Sequence, residues 1–215
     1  MVDMDEWRAI DYRERLEKEL KALEKSNISE KNKKLILTYK NWRIADGVSF
    51  ARVYRELVSL RVLCERFGVE LEEIDEEKLI ELLAAIETAG WKLATKNEYR
   101  RDLRQLLRML GKEKLASKIR CKEPKDNELT RDDLLTVDEV LMLVNAAMNE
   151  RDKAIVMCHL DLGCRPEELL TLRVGDFQRD AWGFKVNIRR SKTYRRSPHL
   201  SFSIPTLRDG LKPIP

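Results

Sequence analysis

The order of apolar and polar positions over the first 120 residues predicts helices and no strand. Residues 12–25 and 30–44 are moderately periodic, and the second run ends near Asp46-Gly47. Ser49 offers an N-cap to a helix whose Phe50, Val53, Tyr54, Leu57, Leu60, Cys64 and Phe67 recur at three- and four-residue spacing, the mark of one buried face, with Gly68 as its stop. Asp75 can cap a fourth helix that carries Leu79, Ile80, Leu82, Leu83 and Ile86 up to Gly90. A fifth starts near Thr95, with Tyr99, Leu103, Leu106 and Leu110 on its apolar face. The implied architecture is a small helical bundle with short connections.

Beyond Cys121 the pattern breaks. Residues 121–134 are polar, contain a Pro and have little to bury, so they read as a linker between a helical domain at 8–120 and a second domain at 135–215. Thr136 and Glu139 have the spacing of a capping box and start a helix through Met148. Residues 151–162 form a further helix, apolar at 154–158, which Gly163 can close. Trp182, Phe184, Val186 and Ile188 then alternate with polar neighbours, and Leu200, Phe202 and Ile204 alternate again, which predicts a β-hairpin turning at Arg190-Ser191-Lys192-Thr193. The chain is expected to be mainly α with this small hairpin.

Composition narrows the class. In 215 residues, 42 Lys and Arg stand against 38 Asp and Glu, with 43% hydrophobic residues, enough for a core and too many for a disordered chain. No run approaches the roughly 18 apolar residues of a membrane span, and the acidic start is unlike a signal or transit peptide, so a cytoplasmic protein with no membrane partner is expected. Cys64, Cys121, Cys158 and Cys164 lack a metal-binding spacing; Cys158, His159 and Cys164 have no second ligand pair, so buried thiols are expected, with no metal and no cofactor.

The net charge of +4 conceals two basic blocks. Residues 71–90 hold seven acids and one Lys, residues 91–120 ten bases and three acids, and residues 181–200 six bases and no acid. Such blocks are either phosphate-binding surfaces or solvated faces without a partner. The fifth helix favours the first reading, because Arg100, Arg104 and Arg108 repeat every four residues opposite the apolar face, flanked by Lys96 and Arg101. Arginine keeps its charge at any working pH and can bond phosphate oxygens bidentately. In the second domain, Pro166 suits the first position of a short helix, which leaves Arg165 at its N-terminus. A cation there opposes the helix dipole, so it needs a nearby anion: either Glu167 or Glu168, or a bound phosphate.

This order of parts resembles the tyrosine recombinases, or phage integrases, in an archaeal-integrase-like, C-terminally truncated form. The resemblance rests on the helical domain, the polar linker, Leu135-Thr136-Val137-Asp138-Glu139, the run from Gly163 to Arg173 around Arg165-Pro166-Glu167-Glu168-Leu169, and Ser191-Lys192-Thr193 between two strands. It implies a helical core-binding (SAM-like) bundle followed by the N-terminal half of an α+β recombinase catalytic domain. It implies that Arg165 binds the scissile phosphate, that Glu168 supports that Arg, and that Lys192 protonates the leaving 5′ oxygen. Duplex DNA is the implied partner, met by Lys96, Arg100, Arg101, Arg104, Arg108, Arg190, Arg195 and Arg196. Self-association, or pairing with a full-length recombinase on DNA, fits the same picture.

In the family the site is completed by a His-x-x-Arg motif, a later His or Trp and a tyrosine nucleophile. Here His159 precedes Leu-Asp-Leu and His199 precedes Leu-Ser-Phe, and Tyr194 lies on the hairpin, where it is not expected to act as the nucleophile. The chain is therefore expected to take part in DNA integration by binding duplex DNA without cutting it unaided. The alternatives are a recombinase completed by a separate segment and a helical protein-interaction module.

Overall fold

The computed structural model describes residues 10–122, 130–189, 191, 194–201 and 203. They fall into two compact units, a helical one within residues 11–127 and a second that holds the described residues from Thr130 onward. No described helix is long and apolar enough to cross a membrane.

The helical unit contains α1 (Tyr12–Lys25), α2 (Glu30–Ala45), α3 (Phe50–Phe67), α4 (Glu76–Thr88), α5 (Leu93–Met109) and α6 (Glu113–Lys118). Local chemistry sets the ends. The Asp11 carboxylate accepts from the Arg13 and Glu14 amides, Ser29 Oγ from the Asn32 amide, and Asp75 from the Lys78 amide, each satisfying a helical N–H that has no partner within the helix. Gly68 ends α3 at φ +61°, a left-handed conformation that costs glycine nothing. The predicted stripe on α3 is the core: Val53, Leu57, Leu60 and Cys64 are buried against Ile36 and Tyr39 of α2, Leu79 and Ile86 of α4, and Leu103, Leu106 and Leu107 of α5. Helix α6 was not expected; it follows Gly111 (φ +72°) and is pinned by buried Ala116 and Ile119.

Within this core the Glu56 carboxylate is fully buried, where an unpaired charge would cost several kcal/mol. It accepts from Arg43 Nε at 2.8 Å and Nη2 at 2.9 Å, Arg52 Nε at 2.6 Å and the Tyr39 hydroxyl at 3.0 Å. Arg52 also reaches the buried Asp102 on α5 at 3.1 Å. This polar knot joins α2, α3 and α5.

Residues expected in the linker are fastened instead. The Asn97 side chain donates to the Lys122 carbonyl at 2.6 Å and accepts from the Lys122 amide at 3.1 Å, so residues 121 and 122 run back along α5. Residues 123–129 lie outside the described residues.

The second unit contains α7 (Val137–Ala146), α8 (Glu150–Leu162), α9 (Pro166–Leu170) and a three-stranded antiparallel sheet, β1 (Phe177–Asp180), β2 (Gly183–Val186) and β3 (His199–Leu200), in the order β1-β2-β3. The capping box forms: Thr136 Oγ1 accepts from the Glu139 amide at 3.3 Å, and the Glu139 carboxylate accepts from the Thr136 amide at 2.8 Å. Gly163 closes α8 at φ +50°. Phe177 pairs with Val186, Lys185 with His199, and past the strand ends Ile188 bridges to Arg196. Cys158, Leu162, Cys164, Leu169, Val186, Ile188 and Leu200 make the core. Asp161 of α8 fastens the end of the sheet by accepting from the Ser201 and Ser203 amides at 3.0 and 2.8 Å.

Two strand expectations change. Strand β1 carries one apolar residue in Phe-Gln-Arg-Asp and is mostly exposed, so it gives no alternation to read. Trp182 belongs to the tight turn before β2, where its amide donates to Asp180, and its ring is exposed rather than on the buried face. Phe202 and Ile204 lie outside the described residues.

Candidate functional site

Helix α9 begins as the sequence predicts, with Pro166 in its first turn and Arg165 as the cap residue. Glu168, one turn on, supplies the anion that Arg165 needs. Its carboxylate accepts from the Arg165 backbone amide at 3.1 Å and from Arg165 Nη1 at 3.0 Å. The same carboxylate accepts from Arg196 Nη2 at 3.0 Å, and Arg196 Nη1 lies 3.4 Å from Ser191 Oγ. Desolvation works to raise the Glu168 carboxyl; the Arg165 amide, the Ser191 hydroxyl and the two guanidinium groups outweigh it and hold the group below the usual carboxylate range. Glu168 is therefore an ionised, buried anchor with its two arginines fixed.

Those arginines remain accessible. The Arg165 side chain is 51% exposed and that of Arg196 23%, against 6% for Glu168. Together with Gly163, Cys164 and Tyr194 they line a cleft of about 390 Å³ with no carboxylate among its lining residues. Arg196 was expected only as one of several surface contacts; the structure brings it into the Arg165 cluster. No pattern in the sequence points to this, because it depends on the register that pairs Ile188 with Arg196 across the turn. Tyr194 is exposed on the cleft, and among the described residues none bonds its hydroxyl. Arg195 is exposed. Lys192 and Arg190 lie outside the described residues.

The basic stripe of α5 is rearranged more deeply. Three arginines presented to solvent were expected, but Arg100 is buried and pairs with Glu87 of α4 at 2.7 Å. Lys96 donates to the Glu87 carbonyl. Arg104 donates to the Ile119 carbonyl and lies 3.7 Å from Cys121 Sγ. These side chains hold α4 and the segment after α6 onto α5, so the acidic and basic blocks of the sequence partly satisfy each other. The Glu87 carboxyl is accordingly held low, first by its bond from Lys122. Arg101 is exposed while its Nε donates to the Asn97 carbonyl, and Arg108 is exposed and bonds Glu113 and Gln105.

The cysteines are free thiols, with Cys64, Cys158 and Cys164 buried. Burial pushes the Cys64 thiol up to about 12 and Cys158 up to about 11, which leaves both protonated and poor ligands or nucleophiles. His159 Nε2 is 2.8 Å from the Cys164 carbonyl, which can only accept, so that nitrogen carries a proton and is taken.

No family model and no curated protein matches the chain. Among solved structures, it is similar to the XerH site-specific recombinase bound to its difH substrate in a pre-cleavage complex. The TM-score is 0.54 and the identity 19%, over 92% of this chain and 67% of that one. The likeness is one of fold: a mainly helical chain with a small antiparallel sheet, as in a tyrosine recombinase.

Proposed function

We propose that this chain is a recombinase-like protein that binds duplex DNA and holds one backbone phosphodiester between Arg165 and Arg196, with Glu168 as the residue that positions both. The observation that carries this reading is the Glu168 anchor: a buried carboxylate bonded at 3.0 Å to each of two arginines, whose other faces line a cleft without acids. Two fixed guanidinium groups suit a phosphodiester, since each offers planar, charge-assisted donors to its oxygens. The similar fold of a recombinase in complex with its substrate supports the same choice of ligand. Lys192, two positions before Tyr194, is the proposed proton donor to a leaving oxygen, and Arg101, Arg108, Arg190 and Arg195 are proposed backbone contacts.

These residues bind and polarise a phosphodiester; they do not by themselves attack it. A tyrosine nucleophile needs a base within hydrogen-bond reach, and Tyr194 stands exposed at the cleft. The 215-residue chain is thus proposed to bind DNA without forming a covalent intermediate on its own.

The test is duplex binding by fluorescence anisotropy over a salt series. Binding that weakens steeply with salt is expected, and Arg165→Ala and Arg196→Ala should each weaken it about ten-fold or more, the loss of charge-assisted hydrogen bonds. Absence of duplex binding at low salt would overturn the reading and favour a protein-interaction module. A nicked suicide duplex should yield no covalent adduct, and an adduct lost in Tyr194→Phe would show that the tyrosine does attack.

A further inference from the structure

We infer that the helical unit carries a second phosphate site, a basin where α5 meets α6 that takes one phosphodiester of duplex DNA through Arg108 and Arg120, with Arg104 and Ser117, whose hydroxyl donates to the Lys114 carbonyl, in its wall. The inference rests on the DNA-binding reading above and adds a site whose key residue, Arg120, belongs to no motif.

The basin has a volume of about 480 Å³, and its wall includes Arg104, Arg108, Ser117 and Arg120 and, among the described residues, no carboxylate. Its shape follows from the packing. Gly111 turns the chain sharply after α5, and buried Ala116 and Ile119 pin α6 to the core, which leaves the intervening Ser117 and the following Arg120 exposed. Arg104 closes the floor: it is anchored to the Ile119 carbonyl and Cys121 and so fixes the residues on either side of Arg120. The nearby acid is Glu113, exposed and 3.2 Å from Arg108; Lys118 is turned to Glu76 of α4 at 2.5 Å. Among the described residues nothing bonds the Arg120 guanidinium, while Arg104 is tied to a carbonyl and Arg108 and Lys118 to acids. Among the described residues, three guanidinium groups around one basin therefore meet one exposed carboxylate, that of Glu113. An anionic ligand offsets their mutual repulsion, and a phosphodiester offers oxygens that accept from such donors.

The experiment uses the full chain and a labelled random-sequence duplex, and reads the slope of log affinity against log salt concentration. Each phosphate neutralised contributes about 0.9 to that slope. The double variant Arg108→Gln, Arg120→Gln should lower its magnitude by about 0.9 and weaken binding several-fold at low salt, whereas Lys21→Gln on α1 should leave the slope unchanged. Arg104 is left intact because it supports the fold, and unchanged circular dichroism melting shows that the double variant is folded. A double variant that binds with the parent slope overturns the basin while leaving the DNA-binding reading in place. A parent chain that binds no duplex overturns that reading, and the basin is then judged by inorganic phosphate: shifts of the Ser117 and Cys121 amide resonances that vanish in the double variant uphold an anion site, and their absence removes it.

Discussion

Glu56 in the helical unit and Glu168 in the second unit are the same chemical device put to different use. Each is a buried carboxylate gripped by two arginines. Around Glu56 the arginine side chains are 8% and 34% exposed, and the acid also takes the Tyr39 hydroxyl; around Glu168 they are 51% and 23% exposed and end on a cleft. Where the guanidinium groups terminate inside, the cluster ties helices together. Where they terminate at the surface, the carboxylate fixes the direction of two charges that can still meet a ligand. Arginine count and spacing are blind to this difference, which is decided by what the guanidinium groups meet beyond the shared carboxylate: Arg52 goes on to buried Asp102, whereas Arg165 and Arg196 line the cleft.

The comparison breaks if the two carboxylates behave alike on removal. Glu56→Ala strands Arg43 in the core, and loss of one partner of a buried ion pair costs about 3–5 kcal/mol. Its urea midpoint, followed by Trp42 and Trp91 fluorescence in a Trp7→Phe, Trp182→Phe background, should fall accordingly, with no specific effect on the second unit. Glu168→Ala should cost only about 1–2 kcal/mol, because its arginines can turn to water, yet it should reduce duplex affinity although it removes a negative charge. Affinity that rises instead would mean that Glu168 only neutralises the arginines and does not aim them. Arg196→Gln is a smaller perturbation still: it takes one charge-assisted hydrogen bond from Glu168 and leaves Arg165 in place, so stability should fall by about 1 kcal/mol, with the weakened binding described above.

What could be read from the sequence was local. The α3 stripe, the Thr136–Glu139 box, the Gly68 and Gly163 stops and the Arg165–Glu168 pair all depend on residues within a few positions of one another, and all appear in the structure. The partnership of Arg196 with Glu168 spans 28 positions and needs the sheet register. Arg100 and Arg104 sit at the spacing of an exposed stripe, but their fate was decided by Glu87 and the Ile119 carbonyl, groups on other segments whose proximity is a tertiary fact. Strand β1 is too polar to show a period, and α6 is too short. The segment charge totals also misled, since residues 71–90 and 91–120 partly neutralise one another through the Glu87–Arg100 and Glu76–Lys118 pairs.

Acidification sharpens the contrast between the two units through the sign of their titrations. Desolvation opposes ionisation of Glu56, but bonds from Arg43 and Arg52 win, so it too sits below its ordinary value of 4.5. A carboxyl depressed on folding stabilises fully above its unfolded value and loses that contribution as pH falls through the folded one; this holds for Glu56 and Glu168 alike. Asp102 has the opposite sign. Burial raises it above 3.8, so between that value and its folded one the native state holds a proton that the unfolded chain has released, and stability falls as pH rises across the interval. Asp102 belongs to the helical unit alone, where it partly cancels the acid sensitivity of Glu56. Asp102→Asn removes the cancellation. The helical unit of this variant should therefore lose stability more steeply than the parent as pH falls toward 3.8, the difference being on the order of 1.4 kcal/mol for each unit by which the carboxyl is raised. Urea midpoints across that range measure it, and parallel profiles for variant and parent would show that Asp102 titrates alike in the folded and unfolded chain.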